Sequence, residues 1–94
     1  MNHIVEAAEK QAQTLETQLY NLLKRISNEE NRYDNGVFDG LKDKINGVLT
    51  ATQNLDKTDE HYVERVKELQ KETAGVVGEL SKVEATASHA APAV

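Results

Sequence analysis

Leu55-Asp56-Lys57-Thr58-Asp59-Glu60-His61-Tyr62 is the stretch on which the architecture of this chain turns. Two signals conflict in it. Thr58 followed by Asp59 and Glu60 has the make-up of a helix start, a capping hydroxyl and then acids in the first turn. Yet no Gly or Pro interrupts the stretch, and an apolar register crosses it without losing phase. Phe38, Leu41, Ile45, Val48, Thr52, Leu55, Asp59, Tyr62, Val66, Leu69, Thr73, Val76, Leu80 and Val83 follow one another at steps of three and four, the period of a helix. The kept phase favours one long helix over about 38–84. The cap-like residues leave room for a kink or break near 56–59, which makes three helices.

With the Phe38 series named a and the Leu41 series d, the d positions are large and apolar throughout. Thr52, Asp59 and Thr73 interrupt the a series, while Leu49, Val63 and Val77 fall at e and widen the stripe. That width suits a bundle better than a two-stranded coiled coil. Asp59 reads in three ways: a helix start, a charge that fixes register or oligomer state, or a solvated edge. Gly40, Gly47 and Gly75 share the c position, with Gly78 at f. They are either tolerated surface glycines or a small side that admits close backbone approach, each at about 1 kcal/mol relative to Ala.

Upstream, Val5, Ala8, Ala12, Leu15, Leu19, Leu22, Ile26 and Tyr33 keep the same period, with Leu23 beside it and Glu29 as the one charged member. A helix is expected over about 4–33. Asp34-Asn35-Gly36 carries the turn, a helix C-cap and reversal, with Asp34 or Asp39 as a cap for the second helix. The expected fold is therefore all-α: a long antiparallel hairpin with its turn at 34–37, assembling as a coiled coil or bundle. Residues 1–84 make the single domain. Residues 85–94, which lose the period and contain the only Pro, make a flexible tail.

The lengths carry a functional consequence. Thirty residues of helix span about 45 Å and forty-six about 69 Å. In a continuous hairpin the first helix runs out near Val66, and Leu69, Val76, Val77, Leu80 and Val83 overhang it. An exposed apolar row of that size marks an interface. These five residues, with Tyr62 in the seam and Tyr20 at an outward b position, are the expected partner-binding set. A third helix folding back would remove the overhang.

Composition excludes several function classes. The chain has 94 residues, no Cys and a net charge of −5, so thiolate metal sites are impossible and no basic run exceeds Lys24-Arg25. Nucleic acid is not an expected ligand. No apolar stretch reaches the length of a membrane span, and the N-terminus lacks a secretory pattern. A soluble cytoplasmic chain is expected, with signal-less export or incorporation into a particle as alternatives. His3, His61 and His89 form no Glu-x-x-His or His-x-x-x-His motif, so neither metal nor cofactor is expected. Glu60, Glu64, Glu68 and Glu72 recur every four residues among Arg65, Lys67 and Lys71, the pattern of a solvated face laced by Glu64–Lys67 and Glu68–Lys71 pairs. No nucleophile motif or phosphate loop is present, and no enzyme or small-molecule substrate is expected.

Phe38-Asp39-Gly40, between two helical segments, resembles the central Trp-x-Gly of type VII secretion substrates. That resemblance implies an exported helical hairpin that dimerises into a four-helix bundle. Phe stands here for Trp, and Tyr62 is followed four residues on by Val66 where the family's export signal has an acid. The function expected from the residues is a non-enzymatic assembly or adaptor protein, working through helix packing in a homo-oligomer or larger complex. The alternatives are the secreted hairpin and a small acidic inhibitor that occludes a partner protein.

Overall fold

A computed structural model describes residues 3–32 and 36–89. These residues form three α-helices: α1 (His3–Glu30), α2 (Asp39–Gln53) and α3 (Tyr62–His89). The long second helix is thus divided, and the all-helical class holds while the two-helix hairpin does not. This three-helix layout also departs from the hairpin that the Trp-x-Gly resemblance implies.

Side-chain competition for the backbone ends α2 without Gly or Pro. The N–H of Asn54 still donates to the Thr50 carbonyl and that of Leu55 to the Thr52 carbonyl, closing the helix. Asp56 Oδ1 then accepts from both the N–H (2.9 Å) and the hydroxyl (2.6 Å) of Thr58. Asp59 Oδ1 accepts the N–H of His61 at 2.8 Å, and its Oδ2 lies 3.3 Å from Arg65 Nε. Short acidic side chains offer these amides a local partner in place of the helix ladder. Asp59 thus stands in the turn ahead of α3; the expected helix start at Thr58 is displaced, since the Thr58 hydroxyl donates to Asp56, and Asp59 and Glu60 precede the first helical turn at Tyr62. The two turns closed by Asp59 N–H to Asp56 O and Tyr62 N–H to Asp59 O advance the chain at nearly helical spacing. That is why the apolar phase survives a segment that is not helical.

α1 and α2 run antiparallel, and α3 returns parallel to α1. Lys42 Nζ meets Glu30 Oε2 at 2.8 Å between α1 and α2, and Lys44 Nζ meets Glu79 at 2.8 Å between α2 and α3. Arg25 grips Glu84 with two hydrogen bonds, the Nε one at 2.7 Å, between α1 and α3. An ion pair thus links each pair of helices, all toward the same end. Exposed pairs contribute about 0–1 kcal/mol each, so they fix register more than stability.

α2 has 15 residues, about 22 Å, against about 42 Å for each of its 28-residue neighbours. Segment 54–61 covers part of the length that α2 leaves open, with Lys57 Nζ 4.0 Å from Glu9. Leu55 packs there partly buried, and Tyr62 is buried against the core. Burial raises the Tyr62 phenol pKa, and the Glu9 charge adds to the rise.

One core unites the helices. Leu15, Leu19 and Ile26 from α1 meet Leu41 and Ile45 from α2 and Val66, Val76 and Leu80 from α3. Phe38 is the largest fully buried side chain. The two threonines that interrupt the seam are satisfied internally, Thr52 donating to Val48 O and Thr73 to Leu69 O. Gly36, at φ +71°, turns the chain into α2, and Phe38 precedes that helix without a side-chain cap. Asp39, expected as a possible cap, sits instead in the first helical turn. Tyr33, Asp34 and Asn35 lie outside the described residues. α3 continues through His89, five residues beyond the expected end, and the remainder of the expected tail lies outside the described residues.

Candidate helix-docking surface

The expected partner set is redistributed by this fold. Leu69, Val76, Leu80 and Tyr62 are buried in the chain's own core, and Val77 and Val83 pack partly buried against it. The overhang does not exist, because the break at 54–61 lets α3 return along α1 and α2. Tyr20 alone of the set is substantially exposed, at 50%. Its hydroxyl accepts a hydrogen bond from Gln53 Nε2 at 3.0 Å, which holds the ring at the α1–α2 edge.

Besides smaller depressions between α1 and α3 near Thr73 and beside the exposed Ile4, two larger surfaces remain open. The first is the groove between α2 and α3, lined from one side by Lys44, Gly47 and Val48 and from the other by Glu72, Gly75, Val76 and Glu79, with a volume of about 460 Å³. It is prolonged past Ala51 and Leu55, facing Arg65, Glu68, Leu69 and Glu72, by a further 220 Å³. Val48, Val76 and Leu69 are its apolar floor, and their low exposure shows them walled in by the helices. Its sides are short at Gly47, Ala51 and Gly75, while Lys44 and Glu79 pair between the two helices. A Cβ added at Gly40, Gly47, Gly75 or Gly78 would meet nothing within 4 Å. No packing within the chain therefore requires glycine at these four helical positions.

Acids rim the α3 side of this groove. Glu79 is engaged by Lys44, but among the described residues neither Glu68 nor Glu72 has an ion-pair partner. The pairing of Glu64 with Lys67 and of Glu68 with Lys71 expected from spacing is not formed. Glu64 instead lies 3.4 Å from His61. The glycines and the four-residue acid repeat are visible in the sequence. Their convergence is not, because it needs α2 and α3 to run antiparallel with their c and g positions on one side.

The second surface is the outward face of α1. Lys10, Gln13, Thr14, Thr17, Gln18, Asn21, Leu22 and Arg25 border a shallow open depression of about 820 Å³. Every exposed residue of α1 from Lys10 to Asn28 is uncharged or basic, since Glu16 is half-buried toward α2. In a chain of 16 acids and 11 bases this is an unusual absence. Lys10 and Lys24 have no ion-pair partner among the described residues.

The titratable groups with displaced pKa values serve structural roles. A hydrogen bond to Glu84 raises Arg25. Burial raises Glu29, helped by a hydrogen bond to and the charge of Glu84, while Arg25 opposes the rise. A hydrogen bond to Glu30 raises Lys42, and the Thr58 hydroxyl and amide lower Asp56. These groups sit at separate ion pairs and turns, not around one cleft. His61 lies exposed between Glu60 (3.3 Å) and Glu64, and among the described residues no cluster of three or more His, Asp or Glu side chains is placed to hold a metal ion. No described helix is long and apolar enough to cross a membrane. No family model, curated protein or solved structure matches this chain.

Proposed function

We propose that the chain is a non-enzymatic assembly or adaptor protein that works by docking helix against helix. The observation that carries this reading is the α2–α3 groove. Its floor is apolar, its walls carry Gly47, Ala51 and Gly75 between the longer Lys44, Glu72 and Glu79, and an added Cβ at either glycine meets nothing in the chain itself. Each interior helical Gly is unfavourable by about 0.8–1 kcal/mol relative to Ala. A sequence that holds glycine where the fold does not need it leaves space for something to approach the backbone. Short side chains on a helix surface allow interhelical distances at the lower end of about 8–10 Å.

The chemistry of the remaining surface supports the same reading. Catalysis needs an acid, base or nucleophile positioned in a site shielded from water. The grooves here are open, and the displaced titratable groups belong to ion pairs and caps. The experiment is light scattering and affinity capture from native extract with the wild-type chain and a Gly47→Leu/Gly75→Leu variant. Docking requires that the filled groove lose the association that the wild type shows. Equal behaviour of the two proteins refutes the reading.

A further inference from the structure

Half-exposed Tyr20 and unpaired Lys24 on α1 match the apolar floor and the unpaired Glu68 and Glu72 of the α2–α3 groove, and from this we infer that a second copy of this chain occupies that groove. Tyr20 of one copy lies over Gly47 and Gly75 of the next, and its Lys24 meets Glu72. This inference rests on the helix-docking reading and names its partner.

Four observations support it. Tyr20 is the one large aromatic side chain of the described residues that is half exposed, and Gln53 already orients it. An aromatic ring on a helix is the side chain that gains most from a groove with an apolar floor and glycine walls. Lys24 is one turn from Tyr20, about 6 Å along the axis, and Glu72 is about 4.5 Å from Gly75. Seating the ring over Gly75 therefore brings the unpaired ammonium within reach of the unpaired carboxylate. Finally, α1 has one acid from Lys10 to Asn28, the half-buried Glu16 held by Gln53, so the entering face brings little like charge against Glu68 and Glu72.

The two surfaces are different patches of one molecule, so the contact is heterologous, head to tail, and leaves a free face and a free groove at the ends. It therefore grows with concentration instead of stopping at a dimer. One helix laid in one groove is a small interface, of the class that gives weak association. Because its ion pair is at the surface, added salt weakens it.

Sedimentation velocity on the full chain tests this, from about 5 to about 500 µM, the range in which a weak interface titrates. The wild type is expected to shift from monomer to larger species as concentration rises, and to shift back in high salt. Tyr20→Ala/Lys24→Glu spoils the inserting face. Gly47→Leu/Gly75→Leu fills the groove from positions where an added Cβ strikes none of the chain's own atoms. Each alone is expected to stay monomeric at every concentration. Mixed, the two variants retain one intact face and one intact groove, and are expected to form a 1:1 heterodimer that grows no further. Far-ultraviolet circular dichroism and a thermal melt establish that both variants fold. If one does not, Glu72→Lys replaces the groove variant and Lys24→Glu alone the other; each alone repels itself, and because the exchanged charges match in both directions their mixture is expected to grow like the wild type. A wild type that stays monomeric throughout overturns the inference, as does an oligomer indifferent to both variants, or a mixture of folded variants that stays monomeric. A monomeric wild type that captures another protein only when the groove is empty overturns self-docking and leaves the helix-docking reading standing. With neither association, both fall.

Discussion

Replacing Gly47, Gly75 and Gly78 together by alanine should stabilise this protein. All three lie inside helices, Gly47 in α2 and the others in α3. A Cβ built at each meets no atom within 4 Å, so no clash subtracts from the gain and no new contact adds to it. What remains is backbone entropy, about 0.8–1 kcal/mol per interior helical site. Each gain arises in its own residue's backbone, so the three sum to about 2.5–3 kcal/mol. For a domain of this size that corresponds to a rise in melting temperature of about 10–20 °C. In urea, with a slope near 1 kcal/mol/M, the midpoint should move up by about 2–3 M. The assay is urea denaturation followed by helical ellipticity, at a dilution where the chain is monomeric. A gain below about 1 kcal/mol, or any loss, would refute the claim that these positions are open inside the chain, since the helix term alone exceeds that. Gly78 stands outside the groove lining, so Gly78→Ala separately measures the helix term where docking plays no part.

Gly36→Ala should behave oppositely, losing about 1–2 kcal/mol in the same assay, because φ at +71° suits only glycine without strain. Phe38→Ala should cost about 3–5 kcal/mol, the range for emptying a fully buried aromatic site, and in a chain this small it should abolish the cooperative thermal transition. Glu29 has a folded-state pKa above its unfolded value. Its contribution to stability is therefore complete below the unfolded value and is lost as pH rises through the folded one. Carboxyl-carbon NMR titration should place Glu29 above ordinary glutamates. Glu84→Gln should lower it only in part, because burial is the larger cause. Asp56 has the opposite sign: its stabilisation is present above the unfolded pKa and lost as pH falls through the depressed folded one. Asp56→Asn should therefore flatten the acid limb of the urea-midpoint profile, and an unchanged limb would separate Asp56 from the folding of segment 54–61.

The apolar seam is legible in the sequence because burial on one face imposes its period on the chain. Ile45, Val66 and Leu80, all members of that seam, are fully buried. The break at 54–61 is half legible. Thr58, Asp59 and Glu60 have the composition of a helix start, but the preserved phase from Leu55 to Tyr62 outweighs it. A turn closed by three-residue hydrogen bonds mimics the step of a helix, so periodicity cannot separate the two. Side-chain bonds from Asp56 and Asp59 decide the matter, and they depend on rotamers that spacing does not encode. The groove is legible only in pieces. Gly47, Gly75 and Glu72 each stand out in the register, but which flanks of two helices come together is settled by the direction of the third.

The break also explains why this sequence can hold an interface and a fold at once. A continuous hairpin would have exposed Leu69, Val76 and Leu80 and made association a condition of folding. Folding α3 back places those residues in the chain's own core, so the monomer buries that row by itself. What is left outside is the half-exposed Tyr20, with Ile4 and Val37, a groove with glycines in its walls and a few unpaired charges. Association through such elements is weak and reversible, because little apolar area is gained and the ion pair is screened. The same glycines that keep the groove open lower the stability of the helices that form it. Substitutions that strengthen the fold at Gly47 and Gly75 should therefore weaken docking in proportion to side-chain size, alanine slightly and leucine completely. Stability and association measured on one series, Gly, Ala and Leu at position 75, should then move in opposite directions from the first step. A series in which both rise together would show that the groove is packing space of the monomer and not a docking site.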